Sequence, residues 1–141
     1  MPQTIPLPDE SATEQFGRDF ATRLRGGELL HLSGELGAGK TTFVRGLLAG
    51  LGGDPRETAS PTYTYLHAYR SGRLALHHAD LYRLRGIADD LELDECLGPD
   101  RLLAVEWPER CPDLGVAPWR LHFEHAGEAR TVTVRAPGEP G

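Results

Sequence analysis

The chain has almost no lysine. Of the fifteen lysine and arginine residues in its 141, one is lysine, Lys40, and the rest are arginine. Cysteine is nearly as scarce. Cys96 and Cys111 leave room for one disulfide at most, have no paired motif around them, and lack companions at zinc-ligand spacing, so reduced thiols are the expectation. No apolar run approaches the roughly 20 residues of a membrane-spanning helix. Residues Met1 to Glu10 show no basic segment followed by an apolar stretch, so no secretory signal is expected and the expected location is cytoplasmic. Positive charge is in deficit as well. A net charge of −6 disfavours a strong unaided grip on nucleic acid, whose affinity for proteins comes largely from cations displacing phosphate counterions. A nucleic-acid role is therefore expected to pass through a partner. What the chain does have is 141 residues, 39% of them hydrophobic, long enough for one domain with a real core and too short for two comfortable ones. We read residues 1–136 as that domain and 137–141, Pro-Gly-Glu-Pro-Gly, as a flexible tail.

The single lysine is not randomly placed. It lies in Gly34-Glu35-Leu36-Gly37-Ala38-Gly39-Lys40-Thr41, a complete G-x-x-x-x-G-K-[ST] phosphate-binding loop. A compact ammonium on a flexible stem can reach between two phosphates, whereas the planar guanidinium has another size and hydrogen-bond geometry. The flanks agree. Glu28 to Ser33 is a short apolar run that reads as a buried strand, and after the loop apolar residues recur at 43, 44, 47, 48 and 51 before Gly52-Gly53. Strand, glycine loop and helix in this order aim successive backbone N–H groups and a helix N-terminus at an anion. In this reading Gly34, Gly37 and Gly39 free the backbone of β-carbons, and Ala38 and Thr42 join them around the phosphates. Lys40 reaches the β and γ phosphates through a solvent-filled site, and the Thr41 hydroxyl ligates Mg²⁺.

Around this unit, Ser11-Ala12-Thr13-Glu14 reads as a capping box with Ser11 as N-cap. Phe16, Phe20 and Leu24 then form an apolar stripe that Gly26-Gly27 ends. Thr62 to Tyr69 and Arg73 to Asp80, joined at Ser71-Gly72, read as an antiparallel hairpin. Ala88 to Leu97 is expected to be a short helix. Leu102 to Val105 reads as a second buried strand ending on Glu106, and Leu121 to Glu124 and Thr131 to Arg135 as two more around a Gly127 turn.

A nucleoside triphosphatase needs carboxylates near the metal, and two acids end strands. Glu106 follows four apolar residues, so it is expected at the carboxyl edge of the sheet where ligands of open α/β folds bind. Asp80 ends the second hairpin strand. Either could position Mg²⁺ or water, or merely shape a turn. Trp107 could stack on nucleotide or on a partner, or pack as core. His77 and His78 must face opposite sides of a strand, and His78 could orient Asp80 or be a satisfied core histidine. Arg83 and Arg110 could stabilise charge during hydrolysis, although surface arginine is the default here.

Gly34 to Thr42, Ser60-Pro61-Thr62-Tyr63-Thr64, His78-Ala79-Asp80-Leu81-Tyr82-Arg83 and Val105-Glu106-Trp107-Pro108-Glu109-Arg110 occur in this order. Together they resemble the TsaE family (also called YjeE), small bacterial ATPases needed to make N6-threonylcarbamoyladenosine at position 37 of tRNAs. The phosphate loop is shared with many families; the H-x-D-L-Y-R and V-E-W-P-E-R segments make the likeness specific. Departures are Glu35 for aspartate, Tyr63 for phenylalanine, and Glu92 and Cys96 within an otherwise similar segment. The resemblance implies an α/β, P-loop NTPase-like three-layer fold with a central mixed sheet and an inserted antiparallel hairpin. It implies ATP as substrate, Mg²⁺ held by Thr41 and Glu106 with Asp80 nearby, Thr13 close to the adenine, and Ser60 and Thr62 on a nucleotide-sensing switch. Lys40, Asp80 and Glu106 are thus the expected catalytic set. It also implies that TsaD and TsaB are partners, with TsaD performing the transfer to tRNA and ATP hydrolysis resetting the complex. Two readings stay open beside it: a small-molecule kinase built on the same loop, and a nucleotide-gated protein-binding module.

Overall fold

The computed structural model describes residues 2–35, 37–59, 65–83 and 91–140. In chain order the regular elements are β1 (Gln3–Leu7), α1 (Glu10–Ala21), β2 (Leu29–Gly34), α2 (Lys40–Gly50), β3 (Leu66–Tyr69), β4 (Ala75–Asp80), β5 (Arg101–Glu106), β6 (Trp119–Ala126) and β7 (Ala129–Arg135). Short 3₁₀ turns lie at Pro55–Ala59, Leu93–Cys96 and Pro108–Arg110.

The strands form one seven-stranded mixed sheet in the order β1-β7-β6-β2-β5-β4-β3. At its centre β2 runs parallel to both β5 and β6, and β4 runs parallel to β5. The hairpin β3–β4 extends one side antiparallel, and β6–β7–β1 extends the other, also antiparallel. β2 has a neighbour on each side, but its two faces differ: Leu30 and Leu32 are fully buried under the helices, while His31 and Ser33 on the other face are half-buried.

Alternation along the flanking strands separates two faces. On one, α1 and α2 bury Phe20, Phe43 and Leu47 against Leu30, Leu32, Leu121 and Phe123 of the sheet. Each such side chain contributes about 1.5–3 kcal/mol by leaving water. The helices themselves approach closely because glycines face one another. A Cβ on Gly46 would lie 2.1 Å from the Glu14 carbonyl oxygen, and one on Gly17 would lie 2.5 Å from that of Phe43. On the other face a smaller cluster, with Leu29, Ala79, Leu93, Leu103 and Val105, lies under the 3₁₀ turns and covers β4, β5 and the start of β2. Over β6 and β7 that same face carries Arg120, His122, Glu124, Thr131, Thr133 and Arg135 and stays partly open.

Several local expectations change. The N-cap of α1 is Asp9, not Ser11: Asp9 is extended, and its Oδ1 accepts from the Ala12 N–H at 2.7 Å, so Ser11 falls inside the first turn. The helix stops at Ala21, where the Thr22 hydroxyl donates to the Asp19 carbonyl at 2.7 Å, well before Gly26-Gly27. Of the helix expected over Ala88 to Leu97, the described part shows a 3₁₀ turn at Leu93–Cys96, preceded by Glu92 in the left-handed region at φ 52°. That backbone sign is incompatible with a continuing right-handed helix. β1, at Gln3–Leu7, has no counterpart among the expected strands. Past β7, the Glu139 N–H donates to the Ala136 carbonyl at 3.0 Å, and the Glu139 carbonyl accepts from Arg120.

Candidate active site

β2 delivers the chain to Gly34 and α2 begins at Lys40, so the intervening loop sits at the carboxyl end of the central strand. Gly39 caps α2 with φ 110°, a conformation that costs an L-residue with a side chain about 1 kcal/mol or more. Gly34 is required for another reason than a ligand: a Cβ there would lie 2.2 Å from the Phe123 carbonyl oxygen on β6. Ala38 is buried, Gly37 and Thr41 are exposed, and Thr42 lies between. Lys40 does not reach into solvent as expected. Its side chain is 5% exposed, and Nζ donates to the Gly34 carbonyl at 2.6 Å, folding the ammonium back over the loop.

What holds Lys40 in this buried position is charge and a ring. Nζ is 3.9 Å from Glu106 Oε1 and 5.5 Å from the centre of the Trp107 ring. The other carboxylate oxygen of Glu106 is 2.7 Å from His78 Nε2. Parity along β4 and β5 puts His78 and Glu106 on the helix-covered face, beside the start of α2. Burial alone would push the Glu106 carboxyl up. The His78 hydrogen bond and charge, joined by the Lys40 charge, outweigh it and hold the group below its ordinary value. His78 therefore serves Glu106 rather than Asp80. Asp80 is exposed, and its Oδ1 accepts the Tyr82 N–H at 3.0 Å.

A second part of the site opens toward α1. Thr13, Gly37, Gly39 and Thr42 line a cleft of about 310 Å³ together with Asp9 and Arg130. Thr13 is buried, and a Cβ on Gly39 would lie 3.3 Å from its methyl group, so helix α1 and the loop are in contact there. Arg130, on β7, donates through Nε to the Gly37 carbonyl at 3.1 Å. No local motif marks Arg130; only its position opposite Leu7 in the β1–β7 ladder brings it to the loop.

Trp107 is neither free nor deep in the core. It adopts a left-handed backbone at φ 62°, an uncommon state for a bulky residue. Its ring packs 5.0 Å from that of Tyr82 and 5.8 Å from the Arg110 guanidinium. Arg110 in turn donates to the Leu81 and Tyr82 carbonyls at 3.1 and 2.6 Å, which ties it to the chain just past Asp80. The exposed aromatic of this group is Tyr82. Ser60 and Thr62 lie outside the described residues. Cys96 and Cys111 are unpaired, and burial raises both thiols, Cys111 to about 11.

The donor set suits a magnesium nucleotide. A buried ammonium, a glycine loop leading into a helix N-terminus, and a carboxylate kept ionised in a dry corner are the three elements that phosphate and a hard cation require. Thr41 and Glu106 would hold the metal, and the Thr13 and Arg130 cleft offers room beside the loop for the nucleoside.

The model of one protein family, described as threonylcarbamoyl adenosine biosynthesis protein TsaE, matches residues 7–133. A tRNA threonylcarbamoyladenosine biosynthesis protein TsaE from Synechocystis is 45% identical over 118 residues, 77% of this chain and 71% of its own. The protein of that name from Streptomyces coelicolor is 43% identical over 136 residues, covering 89% and 90%. Among solved structures, the crystal structure of Bacillus subtilis YdiB superimposes with a TM-score of 0.79 at 29% identity, covering 98% of this chain and 87% of that one. No helix among the described residues is long and apolar enough to cross a membrane.

Proposed function

The chain belongs to the TsaE family, and from that premise we propose that it is a Mg²⁺-dependent ATPase that supports threonylcarbamoyladenosine formation in tRNA by resetting a TsaD–TsaB complex between rounds. The observation that carries this reading is the buried cluster of Lys40, Glu106 and His78 at the mouth of the phosphate loop. Such a cluster is built for charge that arrives with a ligand, since an ion pair buried for stability alone brings little net gain.

In this reading Lys40 leaves the Gly34 carbonyl for the β and γ phosphates, and the loop N–H groups and the α2 N-terminus take the remaining oxygens. Thr41 and Glu106 would hold Mg²⁺, which would supply charge neutralisation at the phosphates. Glu106, fixed by His78, holds its carboxylate toward the metal and the attacking water. Thr13, Thr42 and Arg130 shape the nucleoside side. Asp80 acts at most through water. Ser60 and Thr62 supply the nucleotide-sensing segment. Trp107, beside Lys40, and Tyr82, packed against Trp107, report nucleotide state to a docked protein.

No arginine of this chain is singled out as a finger by its position in the sequence, so hydrolysis by the isolated chain is expected to be slow. Weak basal ATPase activity should rise when TsaD and TsaB homologues are added. Threonylcarbamoylation of tRNA, followed by mass spectrometry of digested tRNA, should stop after about one round when this protein is omitted. Multiple turnovers in its absence would refute the role even with the ATP site intact. Rapid phosphoryl transfer to a small acceptor would instead identify a kinase.

A further inference from the structure

The open part of the second sheet face concentrates positive charge. His31 on β2, Arg120 on β6 and Arg135 on β7 occupy directly opposed positions across three neighbouring strands. The next row holds Ser33 and His122, joined by a 2.8 Å hydrogen bond between Ser33 Oγ and His122 Nδ1. Together with Pro108 these residues line a cleft of about 330 Å³, on the side of the sheet away from α1 and α2.

This arrangement is unfavourable as it stands. Like charges set directly opposite on adjacent strands repel, and Arg120 faces Arg135 in that manner. His31 Nε2 and Arg135 Nε are both buried without a hydrogen-bond partner among the described residues. Buried polar groups are ordinarily satisfied. Burial first, and the Arg120 charge second, lower the His31 pKa, as expected of an imidazole already facing a cation. Of the nearby acids, Glu124 lies 3.4 Å from His122 Nε2, at the far side of the ring, and the Glu139 backbone carbonyl accepts from Arg120; neither residue lines the cleft.

We propose that this cleft is a second anion site, separate from the phosphate loop, that takes a phosphate group. Two guanidinium forks, a hydroxyl and two imidazoles converge from three strands. A tetrahedral oxyanion can accept from several directions at once, whereas a planar carboxylate is satisfied by one fork. The cleft opens to solvent, so the group can be free orthophosphate or a phosphate of an RNA backbone. Ser33 immediately precedes Gly34, whose carbonyl holds Lys40, so the two anion sites share one strand.

The test is a titration of the isotope-labelled full chain with sodium phosphate against sodium chloride of equal ionic strength. NMR signals of His31, Ser33, Arg120, His122 and Arg135 are followed alongside those of residues 37–42. Saturable shifts are expected in the first group, retained in Lys40→Ala and lost in Arg120→Gln and Arg135→Gln. Shifts confined to the loop, or shifts that chloride reproduces, would overturn the proposal. So would a poly-glutamate peptide that binds the cleft more tightly than phosphate, which would make it a seat for acidic protein segments. The wild-type titration needs no variant and decides the matter even where a substitution unfolds the chain. Fluorescence anisotropy with tRNA then separates the sources. Weakening by about fivefold in Arg120→Gln, with a salt slope lower by about one, names the RNA backbone. Saturation by phosphate with tRNA affinity unchanged names orthophosphate.

Discussion

Asp80 and Glu106 end neighbouring parallel strands at the same level of the sheet, paired in register, and they have opposite surroundings. Glu106 is 7% exposed and has a histidine on one oxygen and an ammonium near the other. Asp80 faces solvent, accepts a backbone N–H two residues on, and closes a turn. Placement at a strand end brings both acids to the ligand edge; partners decide which of them is prepared to carry charge there. A carboxylate held ionised inside a packed corner has been desolvated in advance, so its field acts on a ligand without the screening that water gives Asp80.

Four measurements would break or sharpen this contrast. The largest effect is expected for Lys40→Ala, which removes the ammonium that both Glu106 and the ligand would use. Mg-ATP binding should weaken by about 2–5 kcal/mol, as for other truncations of a desolvated charge partner, read by isothermal titration. Because Lys40 is buried, the variant should also melt earlier than the wild type; unchanged affinity would sink the phosphate-loop assignment. Next, Glu106→Gln should bind nucleotide yet hydrolyse it about 10²–10³-fold more slowly under single-turnover conditions, the scale of a lost transition-state electrostatic group. A wild-type rate would return Glu106 to a structural role. Acid denaturation gives the third. Glu106 titrates below its ordinary value of 4.5 in the folded protein, so its contribution is complete above that pH and is lost as pH falls through the folded value. Chemical unfolding between pH 6 and 3 should therefore show a steeper acid loss in the wild type than in Glu106→Gln, and equal slopes would contradict the charge network. The smallest effect belongs to Asp80→Asn, whose amide oxygen can still cap Tyr82. Stability should stay within about 0.5 kcal/mol, and hydrolysis should fall less than in Glu106→Gln. Equal damage from the two would erase the distinction.

The parts of this site that local sequence reveals are those whose physics is local. The loop between β2 and α2, the β3–β4 hairpin and the apolar run ending at Glu106 each announce themselves through period, glycine spacing or a charge after a buried run. Partnerships across the sheet do not. His78 and Glu106 are 28 residues apart, and nothing near either names the other. Gly17 and Gly46 look like helix-weakening residues until two helices are pressed together through them. β1, Gln-Thr-Ile-Pro-Leu, contains a proline and little alternation, and it becomes a strand because β7 offers it an edge. Ser11 and Asp9 are both good caps, and the structure uses the one that follows Pro8.

The bond from Arg130 to the Gly37 carbonyl joins residues 93 apart, and it gives the site an order in time. β2 acquires β6 as its second neighbour, and the loop acquires its far wall, long after the loop itself has been synthesised. A nascent chain that has emerged through α2 holds the whole phosphate-binding motif but lacks the sheet beside it. Closing contacts of such long range is slow, because loop entropy is lost before any packing is gained. Competence to hold a nucleotide thus arrives late and together with the rest of the fold, so an incomplete chain on the ribosome has no assembled site with which to sequester ATP.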